Sequence, residues 1–151
     1  MSLKFQVETW AKAIAEMRPL FRVLWSEVGV DKDKFGCDPD EDIYATLESR
    51  GALHVVTARA DGKMVGFFIG MVFPHLHYRN SGFICTTDAY ALHPDHRKGL
   101  AGARFFRFIE QSLRNRKVIK FYTSCKVEHD RSPMFRAMGY RLQDFVFVKC
   151  L

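Results

Sequence analysis

The chain has 151 residues, 48% hydrophobic and 14% aromatic, with 23 Lys and Arg against 17 Asp and Glu for a formal net charge of +6. That length supports one domain with a substantial core and is short for two, so residues 1–151 are read as a single domain. No apolar run reaches the about 18 residues of a membrane span, and Met1 to Glu8 lacks a signal-peptide core, so the expectation is a cytoplasmic protein with no membrane partner.

Leu3 to Val7 alternates as a short first strand. Trp10, Ile14, Met17, Phe21, Leu24 and Val28 then trace one apolar helical stripe, and Pro19 within it, having no N–H to donate, predicts a kink or two successive helices. Asp31 to Asp40 is a polar loop, and Asp40 is placed to cap a short helix through Leu47. Ala52 to Ala60 and Lys63 to Phe73 read as two apolar strands joined by Asp61-Gly62, the pair that supplies the positive φ angles of a type I′ hairpin turn. Gly66 and Gly70 mark a close backbone approach or a bulge in the second strand. Gly82 to Leu92 makes the third strand of the meander.

The next stretch, Ala91-Leu92-His93-Pro94-Asp95-His96-Arg97-Lys98-Gly99-Leu100-Ala101-Gly102, reads as a strand end, a proline-stopped turn, a glycine loop and a helix start. Backbone N–H groups at a helix N-terminus point outward and favour an anion such as pyrophosphate. GxxxxGK[ST] and GxGxxG are both absent, which disfavours a nucleotide P-loop and a dinucleotide fingerprint. In the helix that follows, Ala101, Phe105, Phe108, Ile109 and Ser112 or Leu113 share one face, while Arg104, Arg107, Gln111 and Arg114 take the other. A fourth strand over Val118 to Ser124, a short helix over Ser132 to Met138, and a final strand or pair of strands over Tyr140 to Leu151 complete the chain. Strands before one long helix, then a βαβ-like return, predict an α/β (α+β) mixed sheet with helices on both faces.

Cys37, Cys85, Cys125 and Cys150 form no CxxC pair, and Cys85 and Cys125 fall within predicted strands, so buried free thiols are expected rather than disulfides or zinc ligands. His75-x-His77 and His93-x-x-His96 are too few and too loosely spaced to specify a metal centre, and no metal is expected. The positive charge suits polyanions in general. Its densest cluster, Arg114-Asn115-Arg116-Lys117 with Lys120, lies at a helix end where cations complement the dipole, and it lacks the interleaved aromatics that would favour nucleic acid as a partner.

His96-x-x-Gly99-x-Ala101 resembles the Q/R-x-x-G-x-G/A signature of the GNAT superfamily, the acyl-CoA-dependent N-acyltransferases. His96 stands where that family usually has Arg or Gln, although Arg97 would serve if the loop were one residue shorter. Asp88 to Pro94 is similar to the strand ending in V-x-P ahead of that loop, and Phe135-Arg136-Ala137-Met138-Gly139-Tyr140 is similar to the family's Y-x-x-x-G-F ending. The resemblance implies acetyl-CoA as co-substrate and a V-shaped gap between the third meander strand and the strand after the long helix. Tyr90 and Leu92 would offer backbone groups to the pantetheine arm. Arg97, Lys98, Gly99, Leu100, Ala101 and Gly102 would face the pyrophosphate, with the Arg97 and Lys98 side chains adding charge-assisted bonds. A homodimer is a further implication of this fold.

Acyl transfer to nitrogen needs a neutral amine, yet a lysine-like amine is neutral on the order of one time in a thousand at pH 7, a deficit of about 4 to 5 kcal/mol. Asp88 is the candidate base. It interrupts an otherwise apolar and hydroxyl-bearing strand, where enclosure by apolar neighbours would suit it to take a proton. The other reading of Asp88 is a structural carboxylate satisfied by strand or helix donors. The tyrosine that often protonates the departing thiolate in the family falls at Phe135, which has no proton to give, leaving Tyr140, Tyr122, a water or unaided departure. The expected reaction is acetyl transfer to a small-molecule or protein primary amine by direct attack in a ternary complex. A non-catalytic module of the same fold, binding nucleic acid or sensing acyl-CoA, is the alternative.

Overall fold

The computed structural model describes residues 2–151. Its centre is a sheet of five strands in sequential order: β1 (Lys4–Val7), β2 (Leu53–Ala60), β3 (Lys63–Pro74), β4 (Phe83–Leu92) and β5 (Val118–Tyr122). The first four pair antiparallel, and β5 pairs parallel to β4. The β2–β3 hairpin turns on Asp61 and Gly62, at φ 48° and 81°, as a type I′ turn requires. This is the expected mixed sheet.

The described residues also form four α-helices, α1 (Trp10–Val28), α2 (Glu41–Ser49), α3 (Ala101–Asn115) and α4 (Ser132–Ala137), and two single 3-10 turns, Pro94–His96 and Val127–His129. One core joins Trp10, Met17 and Phe21 of α1 to Val55, Phe67 and Ile69; the other joins Phe105, Phe106 and Ile109 of α3 to Val56, Phe68 and Cys85. Alternate strand residues thus feed opposite faces, so both carry helices. Phe106 sits at an aromatic junction, with ring centroids 5.0 to 6.5 Å from Phe68, Tyr90, Phe121 and Phe135. Pairs of that geometry each add about 0.5 to 1.5 kcal/mol beyond the area they bury.

Three sequence expectations need correction. Of the two outcomes expected at Pro19, two successive helices do not form: α1 continues through it, because Pro19 lies on the exposed face, where water can satisfy the carbonyl left without a donor. Cys125 lies beyond β5 and is only half-buried, Cys37 is likewise half-buried and Cys150 is exposed, so Cys85 alone of the four thiols is enclosed. Burial pushes the Cys85 thiol up to about 12. The third correction concerns the C-terminal segment. No strand forms between Tyr140 and Leu151: the segment is extended and exposed, and without a neighbouring strand its backbone groups cannot enter a ladder.

Candidate active site

Between β4 and β5 the sheet opens. Parallel pairing runs from Phe83 to Thr86 and stops; beyond it, side chains span the gap to carbonyls at the end of β5. Thr87 Oγ1 donates to the Tyr122 carbonyl at 3.1 Å, and the Tyr90 hydroxyl donates to the Ser124 carbonyl at 3.0 Å. The β3–β4 register also slips: Ile69 pairs with Ala89 and Gly70 with Thr87, leaving Asp88 as the extra residue of a β-bulge. A bulge bends its strand and re-aims a side chain. A Cβ on Gly70 would lie 2.5 Å from Cys85 Sγ, so glycine is what lets the strands close up beside the bulge.

The opening leads into a cleft of about 1020 Å³. Asp88, Tyr90, Leu92, Arg97, Gly99, Leu100 and Gly102 all line it. The other two expected residues are not among its lining: Ala101 is buried against the α3-side core, and the Lys98 side chain is exposed. Gly99 turns the loop at φ 60°. The amides of Arg97, Ala101 and Arg104 bond to the carbonyls of Pro94, Lys98 and Leu100. Those of Lys98, Gly99, Leu100, Gly102 and Ala103 have no intramolecular partner among the described residues, which leaves a concave set of donors at the start of α3.

Arg97 departs from expectation. Its guanidinium donates to the Leu92 carbonyl through Nε at 2.6 Å and to Glu27 of α1 through Nη2 at 2.6 Å. The side chain is thereby committed to fixing the loop, and the Leu92 carbonyl is already occupied. Cations that also line the cleft and form no ion pair among the described residues are Arg107 on α3 and Lys126 and Arg131 between β5 and the body of α4.

Asp88 is exposed at the cleft rather than enclosed, since the bulge turns it outward from the sheet. Its partner is Tyr44 of α2, whose hydroxyl donates to Asp88 Oδ2 at 2.5 Å. The Tyr44 ring stacks on Trp10 with centroids 4.5 Å apart. Burial, and then the bond to Asp88, holds the Tyr44 phenol well above the usual tyrosine range. Asp40 caps α2 through its bond from the Ile43 amide at 3.0 Å, a contribution of about 1 kcal/mol that holds the helix bearing Tyr44. Cys37, Asp38, Phe21 and Trp25 complete this side of the cleft.

The acid candidates also separate. Phe135 is buried against Phe106 and Tyr140 and does not line the cleft, as Tyr122 does not. The Tyr140 hydroxyl donates to Glu110 at 2.8 Å, away from it. Tyr90 does line it, and burial pushes its hydroxyl up to about 12. Sequence reasoning missed Tyr44, Arg107 and Arg131. The only signal for Tyr44 was its place on the short helix after the polar loop. Among the described residues no three His, Cys, Asp or Glu side chains converge to hold a metal ion.

The family model described as acetyltransferase (GNAT) domain matches residues 1–94. Solved structures similar to this chain include a ribosomal-protein-alanine N-acetyltransferase from Brucella melitensis biovar Abortus 2308, at 17% identity and a TM-score of 0.74 over 99% of both chains. Glucosamine-6-phosphate N-acetyltransferase from Arabidopsis thaliana is similar at 13% identity and a TM-score of 0.73, again over 99% of both chains. The aminoglycoside N-acetyltransferase AAC(6')-Iy, solved in complex with CoA, is similar at 14% identity and a TM-score of 0.74 over 99% of this chain and 95% of that one. Curated protein sequences give no match. With the family matched over more than half its length and the same fold throughout, the chain belongs to the GNAT acetyltransferases, a family that uses acetyl-CoA.

Proposed function

We propose that this protein transfers an acetyl group from acetyl-CoA to a primary amine by direct attack in a ternary complex. The observation that carries the reading is the cleft itself, open between β4 and β5, with unpaired loop amides at one end and the Asp88–Tyr44 pair along its wall. Its volume of about 1020 Å³ and its charge pattern fit a long anionic donor. The amides of Lys98, Gly99, Leu100, Gly102 and Ala103 would hold the pyrophosphate, helped by the helix dipole. Arg107, Lys126 and Arg131 would meet its remaining phosphate charge, and the unpaired flank of β4 at Tyr90 would lie along the pantetheine arm.

Charge divides across the cleft. The unpaired cations come from α3 and the segment leading into α4, whereas Asp38 and Asp88 come from the α1–α2 connection and the bulge. A cationic amine is drawn to the acidic side, beside Tyr44. The thioester supplies an electrophilic carbonyl with a leaving thiolate. Asp88 takes the proton that the ammonium must lose, Tyr44 fixes the receiving carboxylate, and the freed nitrogen forms the N–C bond as the C–S bond breaks. The acylated nitrogen sheds its second proton to solvent, and the thiolate, of ordinary thiol acidity, leaves as an anion that solvent protonates, since Phe135 has no proton and Tyr140 is bonded elsewhere.

Thermal shift with acetyl-CoA, CoA, ATP and NAD, followed by an amine panel read by free thiol, tests this reading. Stabilisation by the two CoA species alone, with thiol release on at least one amine, is the expected result. Indifference to both CoA species overturns it, and donor binding without thiol release on any amine favours a sensor instead.

A further inference from the structure

We infer that the acceptor side of the cleft selects an aromatic monoamine, a single ammonium on a hydrocarbon frame that ends in a ring, and turns away amino sugars and other polyhydroxylated amines; this rests on the acetyl transfer proposed above. Phe21, Leu24 and Trp25 of α1, Pro39 of the α1–α2 connection and Tyr44 of α2 line the cleft on the side where Tyr44 meets Asp88. Three of these present aromatic rings, and a neighbour fixes each ring before any ligand arrives. Phe21 packs on Phe67 with centroids 4.8 Å apart, and Tyr44 stacks on Trp10 at 4.5 Å. Gly29 closes so tightly over the Trp25 indole that a Cβ there would lie 2.8 Å from its Cδ2 and Cε3. Rings already held in place lose little freedom when another ring packs on them, so they favour a flat, rigid guest.

The same wall offers few hydrogen bonds. Among the described residues, α1, α2 and the segment between them bring no Ser, Thr, Asn or Gln side chain to the cleft. Of the polar groups they do bring, Glu27 is paired with Arg97 at 2.6 Å and the Tyr44 hydroxyl donates to Asp88, which leaves the Asp38 carboxylate and the Cys37 thiol. Thr87 of β4 lines the cleft as well, but its hydroxyl already donates to the Tyr122 carbonyl.

A sugar hydroxyl brought against this wall gives up water for no partner, and each such loss weakens binding by about fivefold to a hundredfold. A polycationic amine fares no better. Asp88 takes the proton of one ammonium, and on this side Asp38 alone remains for every further charge. A monoamine on a hydrocarbon frame avoids both losses, with its nitrogen at Asp88 and its ring among Phe21, Trp25 and Tyr44.

The test is steady-state turnover of the full chain, read by free thiol, on 2-phenylethylamine, hexylamine, glucosamine, kanamycin and a lysine-bearing peptide, with acetyl-CoA binding measured by calorimetry on the same sample. The expected kcat/KM for 2-phenylethylamine exceeds those for glucosamine and kanamycin by about a hundredfold or more, with hexylamine between and the peptide below hexylamine. Trp25→Leu keeps an apolar side chain and removes the indole. It is expected to raise KM for 2-phenylethylamine about threefold to tenfold, and by less for hexylamine, with acetyl-CoA affinity unchanged. Gly29→Ala, whose Cβ displaces the indole without replacing it, is expected to shift the same KM in the same direction. Glucosamine, kanamycin or the peptide turned over as efficiently as 2-phenylethylamine, or a Trp25→Leu enzyme with an unaltered KM for it, overturns the inference and leaves acetyl transfer standing. Failure to bind acetyl-CoA, or binding without thiol release on any acceptor, overturns both.

Discussion

The Tyr44 hydroxyl reaches 44 residues along the sequence to place its hydrogen on Asp88 Oδ2 at 2.5 Å, joining the helix after the polar loop to the bulge of β4. Asp88→Asn keeps the size and removes the proton acceptor, so kcat is expected to fall by about 10²- to 10⁴-fold, the usual worth of a general base. Calorimetry is expected to show unchanged acetyl-CoA affinity; an Asp88→Asn enzyme with full turnover would remove Asp88 from the chemistry. Tyr44→Phe keeps the Trp10 stack and loses only the hydroxyl. A several-fold drop in kcat with donor affinity unchanged marks it as a positioning residue, while Tyr44→Ala should also raise KM for the amine.

At the glycine loop, Lys98 and Arg97 are predicted to behave differently although both are cations. Lys98 is exposed outside the cleft and forms no ion pair among the described residues, so its loss should weaken CoA binding by no more than about twofold at low salt and not at all at high salt, as a screened long-range charge does. Arg97→Lys retains the charge but cannot bridge the Leu92 carbonyl and Glu27 together, so melting temperature should fall along with affinity. Titration of both variants at two ionic strengths checks the contrast.

Glu8 links the sheet edge to α1. Its carboxylate accepts from Arg59 at 2.8 Å and from the Thr57 hydroxyl, and Arg59 also pairs with Glu16 at 2.9 Å. The bond from Arg59 leads in lowering the Glu8 pKa from 4.5 to about 2. A depressed carboxylate contributes stability that is present above the unfolded value and lost as pH falls from 4.5 through about 2. Glu8→Gln should therefore cost about 2 to 3 kcal/mol at pH 7 and little at pH 2, read from denaturant unfolding at the two pH values.

His54 predicts a second, earlier acid step. It is 3% exposed; Nε2 lies 2.7 Å from Ser112 Oγ and Nδ1 lies 3.3 Å from an Arg116 nitrogen that can only donate. Nδ1 therefore accepts, and Nε2 carries the proton. Burial, and then Arg116, lowers its pKa from 6.5 to about 4. The unfolded chain takes up a proton in this interval that the folded chain does not, so stability falls as pH drops from 6.5 to 4. His54→Gln should flatten unfolding free energy across that window while leaving the Glu8 step below it.

Local chemistry made much of the fold legible. Asp61-Gly62 specified its turn, Asp40 its cap, and the spacing of Phe105, Ile109 and Leu113 the buried face of α3. Gly99 marked the loop because one residue there had to take a positive φ. What escaped depends on partners distant in sequence. Nothing near Tyr44 announces Asp88, and Arg97 looks like a free loop cation until Glu27 folds beside it. The expected strand over Tyr140 to Leu151 does not form: its apolar pattern suits one, but a strand needs an edge to pair with, and this chain leaves the segment unpaired. The sequence pattern also missed that Arg116, in the basic cluster, donates to the Gly51 and Leu53 carbonyls at 2.5 and 2.6 Å instead of standing free.

The bulge at Asp88 divides β4 into two phases. Cys85, before it, packs on the α3 side, whereas Ala89 and Ala91, separated from it by even steps, pack on the α1 side. Swapping the Asp88 side chain leaves that inversion intact. Excising the residue would let Ala89 follow Thr87 in an unbroken ladder, so Tyr90 and Leu92 would keep their faces while the strand lost its bend and its carboxylate together. Both cores could thus be built without position 88, and it is the cleft that has a use for it.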